Sequence, residues 1–293
     1  MNEYLECRLC PHECKVDRTK KIGRCKSDFK TKVALYNLHY YEEPCISGKN
    51  GSGTVFFSGC NMNCKYCQNY KISQNIIENN VVNSEKLANI FLELQKMNAN
   101  NINLVTGVIY VPEIINAIKI AKENGLKIPI IYNSSGYEKL ETLKMLEGYI
   151  DIYLPDFKYY YEELGKNLSN IDNYPDFAKI ALKEMYRQVG TPQFDENGII
   201  QKGMIIRHLI LPNHIRNTKM VLKWIKENIG RKAYISIMAQ YFPTYKAKEI
   251  EDINRKITKE ELEEVKECIN DLNLENGYIQ DIEDDEEKYV PEF

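Results

Sequence analysis

The residues best suited to chemistry lie in FSGCNMNCKYCQNY, residues 57–70, where Cys60, Cys64 and Cys67 are spaced Cys-x3-Cys-x2-Cys directly after an apolar run. Three thiolates on one tight loop can hold three irons of a cubane [4Fe–4S] cluster. The fourth iron then keeps an open position, which a catalytic metal needs and a fourth cysteine would close. A zinc site would ask for a fourth Cys or His nearby, and none follows within forty residues. A redox CxxC would use Cys64 and Cys67 and leave Cys60 unexplained.

Cys7, Cys10, Cys14 and Cys25 form a second, four-thiol pattern. It suits a structural zinc or a second iron–sulfur cluster, and the spacing does not choose between them. A stretch of ~40 residues has too little core to hold itself, so a metal staple is expected there. Independent reduced thiols and redox-active thiols are the alternatives. Cys45 and Cys268 read as small buried residues.

Eight of the nine cysteines precede Tyr70, and seven of those fall in the two short-spaced groups, which in a reducing compartment reads as metal ligation rather than disulfides. The opening MNEYLECRLC has no apolar core of a signal peptide, and no run approaches the length of a membrane span. A cytoplasmic protein is expected. The net charge of −3 calls for neither nucleic acid nor an anionic membrane.

What must position these thiols is an alternation of strands and helices. Apolar runs fall at 54–58, 102–106, 128–132, 149–154, 204–211 and 233–238. Helical periods lie at 84–97, 112–124, 137–146, 173–188, 217–228 and 258–272, the last opened by a capping box of Thr258 and Glu261. This is an α/β chain with a parallel sheet, either flat and doubly wound or curled into a partial (β/α)6 barrel. Three regions are expected: a cysteine-rich module over 1–50, the α/β body over 51–275, and an acidic tail over 276–293 containing DIEDDEE. Gly48, Gly51, Ser52 and Gly53 read as a flexible lead-in to the body.

The motif CxxxCx-aromatic-C, with Tyr66 as the aromatic, is the signature of the radical S-adenosylmethionine (SAM) superfamily. CRLCPHEC, GSGTVFFSGCN, YLPDFKY and RHLILPN resemble a branch related to pyruvate formate-lyase activating enzymes that carries an extra N-terminal cysteine motif. The resemblance implies a partial (β/α)6 TIM-like barrel, a [4Fe–4S] cluster and SAM. It implies reductive cleavage of the sulfonium to a 5′-deoxyadenosyl radical that abstracts hydrogen from a substrate. It also implies a set of SAM contacts. Tyr66 would lie against adenine. Asn133 and Ser134, in YNSSGY, would lie beside the sulfonium, with Asn133 where the relatives have aspartate. Asp156 and Lys158, two apart on a strand end and so on one face, would meet the methionine end. Arg207 would take the SAM carboxylate, with His208 pointing away into the core, and Gln240 would touch the methionine. Thr106 and Gly107, in LVTG, stand where many relatives have Gly-Gly-Glu, and the acidic residue is missing.

By resemblance the substrate is a glycyl residue of a partner enzyme, and the reductant an electron donor such as flavodoxin or ferredoxin. A radical SAM enzyme acting on another macromolecule or a small molecule is a second expectation. A non-catalytic iron–sulfur or zinc protein is the third. Formation of 5′-deoxyadenosine separates the first two from the last.

Overall fold

The structure, a computed structural model, describes residues 2–77 and 80–282. Ten strands form one sheet. They are β1 (Thr31–His39), β2 (Ser52–Phe57), β3 (Val81–Val82), β4 (Ile102–Val105), β5 (Ile130–Ser134), β6 (Ile152–Pro155), β7 (Gln193–Phe194), β8 (Ile200–Leu209), β9 (Tyr234–Met238) and β10 (Asn276–Ile279). The order across the sheet is β10-β9-β8-β6-β5-β4-β2-β1-β3, with the short β7 beside β8.

From β2 to β10 every neighbouring pair is parallel, and the strands follow chain order without a reversal. A doubly wound sheet reverses order at a switch point. Right-handed crossovers in one direction instead carry all the helices to one face, and the sheet curls inside them. This resolves the sequence ambiguity in favour of the partial barrel. The six strands and six helices read from periodicity are all present, and Thr258 and Glu261 form the reciprocal capping box. The central strands are buried on both faces, as parallel strands under helices must be.

Two elements extend this barrel beyond the sequence reading. β1, inside the stretch assigned to the cysteine module, pairs antiparallel with β2 and completes one edge. β10, inside the stretch assigned to the tail, pairs parallel with β9 and forms the other. Ser52 and Gly53 begin β2 rather than a loose lead-in, since both pair with β1. The acidic residues from 283 onward lie outside the described residues.

Candidate functional site

The C-terminal ends of the parallel strands surround a cavity of about 530 Å³. In α/β barrels this end carries the chemistry. Cys60, Cys64 and Cys67 line it on the loop after β2. Each sulfur has a hydrogen-bonding neighbour within 3.3 Å, a backbone amide at one and a serine hydroxyl at the other two. The Met62 amide donates to Cys60 Sγ at 3.3 Å, the Ser169 hydroxyl to Cys64 Sγ at 3.0 Å, and Ser73 Oγ lies 3.2 Å from Cys67 Sγ. Ser169 ends a buried hydroxyl chain, with Tyr66 Oη 2.6 Å from Tyr159 Oη and Tyr159 Oη 2.6 Å from Ser169 Oγ.

Burial raises the pKa of all three thiols, Cys60 well above its ordinary value and Cys67 to about 11. The neighbouring Cys64 sulfur adds to the rise at both Cys60 and Cys67, while the Lys158 ammonium opposes it at Cys64. Thiols so placed keep their protons until a metal displaces them. Among the described residues no three Cys, His, Asp or Glu side chains converge as they would on a single ion. A cubane takes each thiolate on a different iron and asks for no such convergence. The donor chemistry therefore fits a three-thiolate cubane.

The opposite walls come from successive strand ends. After β4, Thr106 lines the cavity with φ of 61°, a left-handed conformation that is costly for a β-branched residue and marks functional sites. Its amide donates to the Asn133 carbonyl at 3.0 Å. Gly107 does not line the cavity. It turns toward the helix Val111–Glu123, where an added Cβ would stand 2.6 Å from Ile114 Cδ1. Asn133 and Ser134 line the cavity at the end of β5. Ser134 Oγ donates to Glu138 at 2.5 Å, and the Gly136 amide donates back to Ser134 Oγ at 3.0 Å. Glu138 is almost fully buried (2 % exposed), and burial raises its pKa to about 8, against the opposing hydrogen bonds from Ser134 and Tyr132.

Asp156 and Lys158, beyond β6, both line the cavity and form an ion pair of 2.5 Å. Burial opposes the Lys158 charge, yet Asp156 and the Cys64 sulfur raise its pKa above the ordinary lysine value. Tyr174 Oη clamps the turn, donating to the Ser135 and Asp156 carbonyls and accepting the Lys158 amide.

Arg207 faces the cavity from β8, but it does not stand open for a ligand carboxylate as expected. Its Nε donates to Glu43 Oε1 at 2.8 Å, and Nη2 reaches both Glu43 Oε2 and Glu42 Oε2. The Asn103 amide secures the second oxygen of Glu42 at 2.8 Å. Arg207 holds Glu43 below the usual carboxylate range although burial works against it. His208 points the other way. It is buried between the Phe157 carbonyl and Thr218, and burial lowers its pKa to about 4. Gln240 lines the cavity after β9, and its Oε1 accepts from Gln280 at 3.2 Å. Tyr66 closes the floor, edge-on to Tyr159 and Tyr241.

Sequence reasoning missed Glu42 and Glu43 as site residues. They follow β1, whose alternating, aromatic-rich run (TKVALYNLHYY) was a readable strand signal. Cys45 is buried in a small apolar cluster with Ile46 and does not line the cavity.

Residues 54–183, the span that carries this loop and the ends of β4 to β6, match the radical SAM superfamily. The chain belongs to that superfamily. It is 34% identical over 289 residues to the uncharacterized protein MJ0674 of Methanocaldococcus jannaschii, a match covering 94% of this chain and 78% of the relative. The fold is also that of the [FeFe]-hydrogenase maturase HydG (TM-score 0.54, 14% identity, 78% of this chain and 51% of that one). SuiB of Streptococcus suis, solved with its precursor peptide SuiA, matches at TM-score 0.51 and 16% identity over 76% of this chain. The chain spans about half the length of these two solved structures.

Proposed function

We propose that Cys60, Cys64 and Cys67 hold the [4Fe–4S] cluster of a SAM-cleaving enzyme and that SAM fills the cavity beside them. The supporting observation is that one cavity is lined by all three thiols together with Tyr66, Thr106, Asn133, Ser134, Asp156, Lys158, Arg207 and Gln240. With both groups bound, the cluster would supply one electron to the sulfonium, and cleavage would give methionine and a hydrogen-abstracting 5′-deoxyadenosyl radical.

The protein's part is to bind, orient and exclude water. The Lys158 ammonium, fixed by Asp156, offers charge to the SAM carboxylate. Arg207 acts through its neighbours, fixing the Glu42 and Glu43 carboxylates at the cavity wall. Those carboxylates replace the acidic residue that LVTG lacks, as acceptors for the SAM amino group. Thr106 and the Asn133–Ser134 turn supply further polar contacts, and Tyr66 supplies a ring for adenine.

The substrate we infer by family likeness is a glycyl residue of a partner protein, so the enzyme would be an oxidoreductase of the activating kind. It would work in the reducing cytoplasm with a flavodoxin or ferredoxin donor. No helix among the described residues is long and apolar enough to cross a membrane. We read Cys7, Cys10, Cys14 and Cys25 as a second metal site, zinc or iron–sulfur.

Anaerobic reconstitution followed by SAM and a reductant should yield 5′-deoxyadenosine. Cys60→Ala, Cys64→Ala and Cys67→Ala should each abolish it, along with the SAM-responsive cluster signal in electron paramagnetic resonance. A wild-type protein that carries the cluster yet releases no 5′-deoxyadenosine would overturn the reading. Deuterium transfer from a glycine-labelled partner into 5′-deoxyadenosine tests the substrate class, and its absence with an otherwise active enzyme removes the glycyl assignment.

A further inference from the structure

The N-terminal cysteines lie outside the cavity. Cys7, Cys10 and Cys25 are buried and Cys14 is partly so. Tight turns fold them together: the Glu13 amide donates to the Cys10 carbonyl, the Lys15 amide to the Cys7 carbonyl, and the Lys26 amide to the Gly23 carbonyl. Glu13, Lys15 and Lys26 all have positive φ (39°, 52° and 61°). Backbone in this region is costly for such residues and persists only where the surroundings enforce it. A Cβ built on Gly23 would stand 3.3 Å from Cys25 Sγ and 3.7 Å from Cys14 Sγ, so these two sulfurs flank one point. Arg18 Cδ lies 3.8 Å from the same point and Arg18 Nη1 lies 3.9 Å from Cys7 Sγ, so Cys7, Cys14 and Cys25 border one arginine side chain, with Cys10 on the adjoining turn.

Beside them lies Arg18, 1 % exposed. Its N–H groups are satisfied by neutral acceptors, Nε by the Asp28 carbonyl at 3.1 Å and Nη1 by the Ile109 carbonyl at 2.7 Å. The rings of Tyr4 and Tyr110 lie 4.9 and 5.8 Å away. None of these cancels a full positive charge. The Asp28 carboxylate is paired with Lys32 instead, at 2.6 Å. Among the described residues Arg18 forms no ion pair with a carboxylate; its Nη1 lies 3.9 Å from Cys7 Sγ. A buried guanidinium left uncompensated is strongly unfavourable, and four protonated thiols would not compensate it.

We propose that Cys7, Cys10, Cys14 and Cys25 hold their metal as an anionic tetrathiolate centre whose buried counter-ion is Arg18, and that this centre braces the SAM-cluster loop. The proposal rests on reading the quartet as a metal site and adds its charge, its counter-ion and its mechanical role. Among the described residues no three of these side chains converge as a single zinc ion would require, so the arrangement suits a [4Fe–4S]²⁺ core, whose four thiolates give a net charge of two minus beside Arg18.

The bracing follows from what the module touches. His12 Nε2 donates to the Asn61 carbonyl at 2.7 Å, next to Cys60. A Cβ on Gly59, whose φ is +90°, would lie 3.4 Å from the Cys25 carbonyl, so the two cysteine loops are in backbone contact. Arg18 reaches across to Ile109, and Tyr110 Oη bonds Ser27 on one side and the Ser58 carbonyl on the other. The FSGCN turn is thus backed by the module.

The test uses the full chain with Cys60, Cys64 and Cys67 all changed to Ala, so that only the quartet can bind. After anaerobic purification and reconstitution, elemental and sulfide analysis should find four irons with sulfide per folded chain. Zinc without iron, or no metal at all, would overturn the metal reading itself. With metal present, Arg18→Met in that background should release it to a chelator about 10–100-fold more readily, the usual effect of losing an outer partner of a metal ligand. Arg18→Lys should recover part of the retention. Equal release from all three overturns the counter-ion. Independently of any Arg18 variant, stripping the metal from the triple-Ala chain should cost hydrogen-exchange protection at residues 57–62, and unchanged protection there overturns the bracing.

Discussion

Glu138 offers a quantitative test of how the Asn133–Ser134 turn is built. Its carboxyl is buried, accepts from Ser134 at 2.5 Å, and has its pKa raised from 4.5 to about 8, burial being the leading cause. The folded chain therefore keeps this proton over a range where the unfolded chain has released it. Stability from this group is fully present below about pH 4.5, falls as pH rises, and is lost by about pH 8. Each pH unit in that window is worth about 1.4 kcal/mol, so pH 5 to 8 spans about 4 kcal/mol. For a chain of this size that is roughly 8 °C in thermal midpoint. Glu138→Gln keeps an acceptor for the Ser134 hydroxyl and cannot ionise. Midpoints of metal-loaded wild type and variant, followed by circular dichroism at a series of pH values, isolate the group because all other titrations are shared. The variant should gain on wild type by that amount as pH rises from 5 to 8. Parallel curves would refute the reasoning, since they would mean that Glu138 ionises in the folded state as readily as in water.

Two other perturbations follow from the site. Arg207→Met leaves Glu42 and Glu43 buried without their cation, which should cost about 3–5 kcal/mol. Adding Glu42→Gln and Glu43→Gln should recover most of it in denaturant titration, and a single variant within about 1 kcal/mol of wild type would contradict this arrangement. At Gly136, φ is +75° and a Cβ would come 2.2 Å from the Asp156 carbonyl. Gly136→Ala should lose about 1–3 kcal/mol of stability and loosen SAM binding by calorimetry, because the turn carrying Asp156 and Lys158 must shift; a variant matching wild type in both would show that the turn yields freely.

Periodicity revealed the barrel because its helices each present an apolar face at 3.6-residue spacing and its central strands are continuous apolar runs. It did not reveal the edges. β10 is four residues long, alternates between half-buried and exposed, and contains Gly277 at φ of 132°, so it has almost no pattern to read. β1 had a pattern, but it lies in a stretch dominated by cysteines and cations. That Cys60, Cys64 and Cys67 face one cavity was legible because they share one loop, and that Asp156 and Lys158 do so because they share one strand end. The partners of Arg207 were not, since Glu42 and Glu43 lie 165 and 164 positions away. Nothing local in RHLIL announces that its guanidinium is already engaged.

The three donors around the thiol loop bear on electrochemistry. An amide at Cys60 and a serine hydroxyl at Cys64 draw electron density from the sulfur they touch, and the Ser73 hydroxyl beside Cys67 would do the same toward a thiolate. Hydrogen bonds to the sulfurs are among the levers that set the reduction potential of such centres. At Cys64 the lever extends through Ser169 to Tyr159, which does not line the cavity, so Tyr159→Phe would be felt in how readily a centre held there accepts an electron, with no cysteine touched.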